Sequence, residues 1–374
     1  MRNNKLAYWF IVLIIIGLVV IISPTKKTET IKISDLSALT GPFALAGEML
    51  NVSAKIAVDE INSSGGINGQ KIEIITEDTE NDPKKAVSAY QHSKSLGAKY
   101  FIGEGSPIVS AVRSIAIADK NLVMSSAAIA PSYTDGNLLS CRFSFTSQNT
   151  GPALVALAQK YNYRNIAVLL PESEYGKTLS DEIIKASGSQ NINLLNKEFY
   201  LATANDFRTN ILKLVSKQKE TDALILANNS SSLETMIKQL RELGWNKPII
   251  SDNATINNPA LKDLNLLNGI VYADYEYSRD LQSDDRPEIK NFKEKYKEIL
   301  GNYPPYIPAG HYDAIKLIAY AISKVGDDPE KVAKFISETK DYQGITGKLS
   351  FNSDCEANRQ TVFRQVVGGK LMME

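Results

Sequence analysis

The chain has 374 residues, which is too long for one ordinary domain core and suits two lobes of ordinary domain size. Apolar residues make up 43% and charged residues 22%, a composition typical of a folded soluble protein. Lys plus Arg equals Asp plus Glu at 42 each, so the net charge is zero. A nucleic-acid-binding protein usually carries a basic excess, so no nucleic-acid partner is expected.

The chain begins with one long apolar segment. Residues 6–22 read LAYWFIVLIIIGLVVII, and the uncharged interval between Lys5 and Lys26 is just long enough to span a hydrocarbon core. Residues 1–29 are therefore either an uncleaved transmembrane signal anchor or a cleaved signal peptide. The length of the run and the lack of a small-residue cleavage site favour the anchor. Both alternatives predict that the rest of the chain works outside the cytoplasm, in the periplasm or on the outer face of the cell membrane.

The soluble part alternates between strand and helix patterns. Ile31 to Leu36 predicts the first strand, and Asp82-Pro83 predicts the start of the second helix, with Asp82 as its N-cap. Further strands are predicted at residues 71–75, 100–102, 122–124, 166–170, 194–199, 223–227, 248–251 and 269–272. This alternation indicates βαβ units, and so many strands indicate two parallel sheets covered by helices on both faces.

The end of the chain has a different pattern. Helical segments are predicted at residues 285–300 and 308–325, and a third begins at Pro329. Strand patterns at residues 348–351 and 361–367 follow them. The predicted fold class is therefore α/β, with helices grouped near the carboxyl end.

Several motifs occur in the order and spacing of one known family. They are Leu39-Thr40-Gly41-Pro42-Phe43-Ala44, Asp59-Glu60-Ile61-Asn62 followed by Gly65-Gly66-Ile67-Asn68-Gly69, Asp82-Pro83, Glu174-Tyr175-Gly176 and Tyr312-Asp313-Ala314. Over about residues 30 to 370 the chain resembles the type I periplasmic binding proteins, specifically their leucine/isoleucine/valine-binding branch.

The resemblance implies two doubly wound parallel-sheet lobes joined by three hinge crossovers. The crossovers are expected near residues 142–146, 273–277 and 347–351. Lobe one would comprise residues 30–144 plus 276–347, and lobe two residues 145–275 plus 348–374. Open α/β sheets bind ligands beyond the carboxyl ends of their strands, so the solute is expected in the cleft between the lobes. Closure of the lobes around the solute would be a hinge motion.

The resemblance also implies ligand-binding residues in lobe one. Ser106 and the amino terminus of its helix match the loop that holds the ligand's carboxylate in this family, and Ser126 and Ala128 lie in the second loop. Ile129 stands where the family has a carboxylate-binding Thr, which weakens this end of the site. The alternative for Ser106 is a plain helix cap.

In lobe two, the resemblance points to four more residues. Tyr175 matches the aromatic side chain that covers the ligand, Asn228 and Asn229 form a polar loop, and Asp252 matches the acidic partner of the ligand's ammonium. Alternatively, Tyr175 packs inside the lobe and Asp252 is a turn residue. The ligand-site interpretation predicts that Tyr175→Ala weakens binding by ~1–3 kcal/mol with little loss of stability.

The cysteines and histidines show no metal-binding spacing. Cys141, Cys355, His92 and His311 lie far apart in the sequence, so no metal and no cofactor is expected. His311 is expected on a helix surface or in the core. By the resemblance, both cysteines lie near the hinge, where they form either a disulfide, which an extracytoplasmic setting permits, or two separate thiols.

An enzymatic function is not expected. Gly103-x-Gly105-x-x-Ile108 has Ile in place of the third small residue of a dinucleotide-binding motif, and no phosphate-binding or nucleophile-elbow motif occurs. The resemblance implies an extracytoplasmic solute-binding protein of an ABC importer. Its ligand would be an amino acid or similar small polar solute, and permease subunits would be its partners. The alternative is a membrane-tethered ligand sensor of the same fold.

Overall fold

The computed structural model describes residues 30–374 except positions 135, 145, 202, 229, 231, 259 and 281–284. The apolar segment at residues 6–22 lies outside these residues, so the predicted anchor or signal falls outside the described part of the chain. No helix within the described part combines the length and the apolar character that crossing a membrane requires.

The smaller of two main sheets contains the first part of the chain. Its strands are β1 Ile31–Ser37, β2 Ile72–Asp78, β3 Tyr100–Gly103, β4 Leu122–Ser125 and β5 Ser140–Arg142. They are parallel and lie in the order β2-β1-β3-β4-β5. β3 and β4 are buried along their whole length, as expected for short apolar strands covered on both faces.

Helices connect these strands as the sequence predicts. They are α1 Ala44–Ser63, α2 Pro83–Ser95 and α3 Ser106–Ala118. The Asp82 side chain caps α2, because it accepts hydrogen bonds from the backbone N–H groups of Lys84 at 2.7 Å and Lys85 at 3.0 Å. The predicted N-cap is therefore confirmed.

The larger sheet contains seven strands. They are β6 Asn165–Pro171, β7 Asn193–Tyr200, β8 Ala223–Leu226, β9 Ile249–Asp252, β10 Val271–Tyr275, β14 Thr361–Val367 and β15 Lys370–Met373. Their order is β15-β14-β10-β9-β8-β6-β7. The first five strands along the chain are parallel, whereas β14 and β15 are antiparallel additions at one edge, so this sheet is mixed.

One helix precedes the first strand of the larger sheet, and four more lie between its parallel strands. They are α4 Ser147–Lys160, α5 Glu174–Gln190, α6 Arg208–Ser216, α7 Leu233–Glu242 and the short α8 Asn253–Ile256, with single 3-10 turns at Pro131–Thr134 and Leu264–Leu267 elsewhere in the chain.

After β10 the chain returns to the smaller sheet. The helices α9 Pro287–Leu300, α10 Tyr306–Val325 and α11 Pro329–Glu338 follow one another. α9 and α10 pack on α1, and α11 contacts β4. These contacts place all three helices with the smaller sheet, although they come after the larger one in sequence.

A small third sheet lies at the residues where the third crossing is expected. It is antiparallel and contains β11 Tyr342–Gly344, β12 Gly347–Phe351 and β13 Ala357–Arg359. β12 covers the expected residues 347–351 and pairs with both of its neighbours in this sheet. The chain joins the larger sheet only at the start of β14. The pairing of β12 with β13 follows from tertiary packing, which the local sequence pattern does not reveal.

Candidate functional site

The carboxyl ends of β1, β3 and β4 form one wall of the predicted cleft. Ser106 is the first residue of α3, and its Oγ accepts hydrogen bonds from the backbone N–H groups of Ile129 at 3.0 Å and Ala130 at 3.1 Å. Ser106 thus joins the two loops that the sequence predicted to act together. A hydroxyl has one hydrogen to donate, and that O–H stays available for an acceptor on a solute.

The second loop is largely engaged within the protein. The backbone N–H of Ala128 donates to Ser125 Oγ at 2.8 Å, and its carbonyl accepts from the hydroxyl of Ser144. Ser126 is buried, and its Oγ lies 2.9 Å from Nδ1 of His311. Ser126 Oγ and the Ala128 N–H therefore each have a hydrogen-bond partner within the protein.

His311 is part of a buried polar cluster that sequence reasoning did not find. Its Nε2 lies 3.5 Å from Oδ1 of Asp35, which also accepts from Ser37 Oγ at 2.6 Å. Asn51 donates to the other oxygen of Asp35 at 3.1 Å. Burial acts to raise the pKa of Asp35, but the interactions with His311, Ser37 and Asn51 outweigh it and hold the pKa below its ordinary value.

Glu104 is a second residue that the sequence did not single out. It directly follows β3, is 7% exposed, and accepts a hydrogen bond from the backbone N–H of Ala38 at 3.4 Å. Burial raises the pKa of Glu104 to about 7, although the Ala38 N–H and nearby His311 act in the opposite direction. The loop expected to hold a carboxylate therefore carries a buried acid two residues before Ser106.

On the opposite wall, the structure joins Tyr175 to Asp252. The Tyr175 hydroxyl donates to Asp252 Oδ2 at 2.6 Å, and Tyr175 is 5% exposed. Asp252 also caps α8, since its Oδ1 accepts from Thr255 N at 2.8 Å and Oγ1 at 2.6 Å. Burial and the neighbouring Asp252 raise the pKa of Tyr175 well above its ordinary value, so the hydroxyl stays protonated.

The polar loop after β8 is also internally bonded. Asn228 is buried, and its Oδ1 accepts from the backbone N–H of Ser230 at 2.8 Å and from its hydroxyl at 2.9 Å. The backbone N–H of Asn228 donates to Thr255 Oγ1 at 2.8 Å, which ties this loop to the Asp252 turn. Asn229 lies outside the described residues.

A narrow recess opens beside Asp252, between the start of α4 and the end of β10. Its lining residues are Asn149, Thr150, Ala153, Asp252, Asn253, Ala273, Asp274, Tyr275 and Thr361. Asp274 lies on its wall, with Oδ2 2.9 Å from Nε of Arg364. Burial raises the pKa of Asp274 to about 6 against the lowering effect of Arg364. The sequence held no motif that would have found this pair.

The cysteines lie together at the edge of the smaller sheet. Cys141 of β5 and Cys355 are joined as a disulfide, with their Cα atoms 4.7 Å apart. The backbone N–H of Arg142 also donates to the Cys355 carbonyl at 2.8 Å. The segment that leads into β13 is thereby attached to the smaller sheet just before the chain crosses to the larger one.

The comparisons with known proteins agree with this architecture. The family profile described as periplasmic binding protein matches residues 30–370. The chain belongs to the periplasmic binding protein family. The resemblance to its leucine/isoleucine/valine-binding branch is confirmed by the relatives that the chain matches.

Two of these relatives are named for branched-chain amino acids. The leucine-, isoleucine-, valine-, threonine- and alanine-binding protein of Pseudomonas aeruginosa is 26% identical over 334 residues, which covers 88% of each chain. The Leu/Ile/Val-binding protein of Escherichia coli is 25% identical over 331 residues, covering 87% of each chain.

Solved structures of this family share the fold. One is the branched-chain amino acid transporter substrate-binding protein of Streptococcus pneumoniae in complex with isoleucine, with a TM-score of 0.76 and 22% identity over 92% of this chain and 98% of that one. Another is a solute-binding protein of Rhodopseudomonas palustris in complex with 3,4-dihydroxybenzoic acid, with a TM-score of 0.77 and 20% identity over 92% and 95%. Since these two neighbours carry chemically different ligands, the shared fold alone does not identify a solute.

Proposed function

We propose that this periplasmic binding protein is the extracytoplasmic, solute-capturing component of an ABC importer, and that its solute is an amino acid or a similar small polar molecule. The observation that carries the proposal is the family match over residues 30–370, together with curated relatives named for amino-acid binding that align over nearly the same span.

The two main sheets would form the cores of two lobes that close on the solute. We assign residues 30–144 and 276–347 to lobe one, and residues 145–275 to lobe two. The small sheet of β11, β12 and β13 would contribute to the hinge, and β14 and β15 would complete lobe two. Hinge closure would bring the carboxyl ends of both sets of strands onto one solute.

Within the cleft, Ser106 and Asp252 would contact the solute directly. The Ser106 O–H suits a carbonyl or carboxylate oxygen, because this hydroxyl already accepts two hydrogen bonds and has only its hydrogen left. Asp252 lines the recess and suits an ammonium group. Ser126, Ala128, Tyr175 and Asn228 would hold the loops that carry these two residues.

The segment at residues 6–22 would tether the protein to the membrane beside its permease. The mature protein is then expected to retain residues 1–29 and to fractionate with membranes. Amino-terminal sequencing tests this directly. A mature protein whose first residue lies near Thr25 to Thr30 would show that the segment is a cleaved signal peptide and not an anchor.

A thermal-shift screen over the twenty amino acids tests the solute class. A solute at 100 times its Kd raises the free energy of unfolding by ~2.7 kcal/mol, which produces a clear shift in melting temperature. We expect at least one amino acid to produce such a shift. No shift with any of them would contradict the proposed function.

A further inference from the structure

Arg359 lies where the chain crosses between the two main sheets. It is the last residue of β13, and its guanidinium carbon lies 4.4 Å from the ring centroid of Phe143, 5.3 Å from that of Tyr306 and 5.7 Å from that of Tyr275. The side chain is 8% exposed. Three aromatic rings thus surround a nearly buried positive charge.

This charge forms no salt bridge with any described residue, although the buried carboxylate of Asp313 is near enough to interact with it electrostatically. Nε and Nη2 of Arg359 are buried without a hydrogen-bond acceptor, and Arg359 forms no salt bridge in the described part of the chain. By contrast, the Nε of Arg364, a buried arginine of β14, lies 2.9 Å from Asp274 Oδ2, and its Nη2 donates to the carbonyl of Glu276. Aromatic faces attract a guanidinium, but they do not replace the hydrogen-bond acceptors that it loses on burial.

Arg359 lies near the proposed cleft between the two main sheets. Phe143 directly follows β5, Tyr275 ends β10 and Arg359 ends β13, so the three residues lie where the chain passes between the sheets. Tyr275 also lines the recess that contains Asp252. Tyr306 adds a hydroxyl that is buried without a partner in the described part of the chain. The Arg359 guanidinium and the Tyr306 hydroxyl therefore lie beside Tyr275, which borders the recess next to the predicted ammonium site.

The opposite wall offers little to a carboxylate. The Ala128 N–H is used by Ser125, and Ser106 Oγ already binds the N–H groups of the following loop. Glu104 places a buried acid beside that loop. A single hydroxyl can donate only one hydrogen bond to a carboxylate. The planar guanidinium of an arginine can donate two parallel hydrogen bonds to it.

We propose that Arg359 receives a carboxylate of the captured solute, and that this protein prefers acidic solutes, either an acidic amino acid or a dicarboxylate. This inference rests on the proposed capture of a solute in the cleft, and it narrows the solute class. Solute binding would supply the partner that the buried guanidinium lacks, so the unpaired charge would exist only in the empty protein.

The test compares four probes by isothermal titration calorimetry: L-glutamate, its uncharged analogue L-glutamine, L-leucine and glutarate, which has two carboxylates and no ammonium. The variants are Arg359→Met, which removes the charge but keeps an unbranched apolar stem, and Arg359→Lys, which keeps the charge without the fork. Arg208→Met, at an exposed arginine of lobe two, is the matched control. Circular dichroism melts confirm that each variant is folded.

We expect the unmodified protein to bind glutamate or glutarate more tightly than glutamine. Arg359→Met should lower the affinity for the acidic probe by at least about thirty-fold, as is typical when a buried charge pair loses one partner. Arg359→Lys should retain part of this affinity. Arg208→Met should change nothing. If Arg359→Met does not fold, two other measurements decide the role of Arg359. They are the affinity of the unmodified protein for glutamate relative to glutamine, and the affinity of Arg359→Lys for the acidic probe.

The possible failures differ from one another. Leucine binding that is tighter than glutamate binding, and that is the same in Arg359→Met, would overturn the role of Arg359 and leave amino-acid capture standing. Glutarate binding without binding of any amino acid would retain the role of Arg359 and contradict the amino-acid assignment. No binding of any of the four probes would overturn the role of Arg359, and the screen over twenty amino acids would then decide the proposed function separately.

Discussion

The hydroxyl of Tyr175 donates a hydrogen bond to the carboxylate of Asp252 at 2.6 Å. These residues lie 77 positions apart in sequence, and each was predicted separately as a ligand contact. Their contact makes them one unit, in which Tyr175 orients the carboxylate and Asp252 faces the recess. Because Tyr175 is buried in the protein, its substitution is expected to affect stability as well as binding.

Tyr175→Phe removes one hydrogen bond and leaves a buried carboxylate oxygen without its donor. We expect the free energy of unfolding to fall by about 1–3 kcal/mol, and Tyr175→Ala to cost about 3–5 kcal/mol, because it also leaves a cavity. This replaces the sequence-based expectation of little stability loss. Chemical denaturation measures both. Tyr303→Phe, which removes a tyrosine–carboxylate bond to Glu294 at an exposed position, should cost much less. Equal costs for the two Phe variants would contradict the structural role of Tyr175.

Asp252→Asn tests the ammonium site with little change in shape. Asn keeps an oxygen that can accept from Thr255, so the cap on α8 should survive while the negative charge is lost. We expect amino-acid binding to weaken by about 1.5–3 kcal/mol, the usual contribution of a hydrogen bond to a charged group. Asp263→Asn, an exposed capping aspartate of the same lobe, is the control for calorimetry. An unchanged affinity in Asp252→Asn would show that Asp252 does not bind the ammonium group.

Glu104 predicts a pH dependence of stability. Its pKa rises from 4.5 to about 7 on folding, so the folded protein binds the proton more tightly than the unfolded chain does. The resulting stabilisation is complete below about pH 4.5 and is lost as the pH rises to about 7. Relative to Glu104→Gln, the unmodified protein should therefore lose about 3 kcal/mol of unfolding free energy across this window, as an order of magnitude.

Urea denaturation at pH 5 and pH 8 measures this difference for the unmodified protein and for Glu104→Gln. Gln retains an oxygen for the Ala38 N–H, so the comparison isolates the charge. Glu298→Gln, at an exposed glutamate of α9, should show no such pH-dependent difference. If the difference in unfolding free energy between Glu104→Gln and the unmodified protein is the same at both pH values, Glu104 does not titrate in this range.

Cys141 and Cys355 should be bonded in the purified protein. Intact mass spectrometry after alkylation should show no modified thiol before reduction and two afterwards. Replacing both cysteines with Ser should lower the free energy of unfolding by about 2–5 kcal/mol, because the bond closes a long loop in the unfolded chain. Alkylation of two thiols in the native, unreduced protein would support the alternative of separate thiols.

Local patterns were sufficient to predict much of the fold. Asp82-Pro83 marks the start of α2 because an N-cap side chain and a proline act on neighbouring backbone groups. Local patterns predicted β1 to β4 of the smaller sheet but not the short strand β5. At residues 347–351, where the third crossing is expected, β12 pairs with β13, and the nearby disulfide holds this segment to β5. Nothing in the local sequence specifies that pairing.

The site was predicted less completely, for a related reason. Motif matching identified Ser106 and Asp252 by their position after predicted strands. In the structure Asp252 ends β9, and Ser106 begins α3 three residues after the end of β3. It could not show that Ser126 bonds to His311, 185 positions away, or that Glu104 is buried. Burial and long-range partners are properties of the folded chain, so single-residue patterns do not reveal which polar groups are already satisfied.

The most direct test of the central claim is a calorimetric titration of the purified protein with each of the twenty amino acids. We predict one saturable binding event per protein molecule for at least one amino acid, with a negative heat-capacity change as the cleft closes over apolar surface. The same titration of Asp252→Asn should give a lower affinity for that amino acid. A folded protein that binds none of the twenty would contradict the capture of an amino acid.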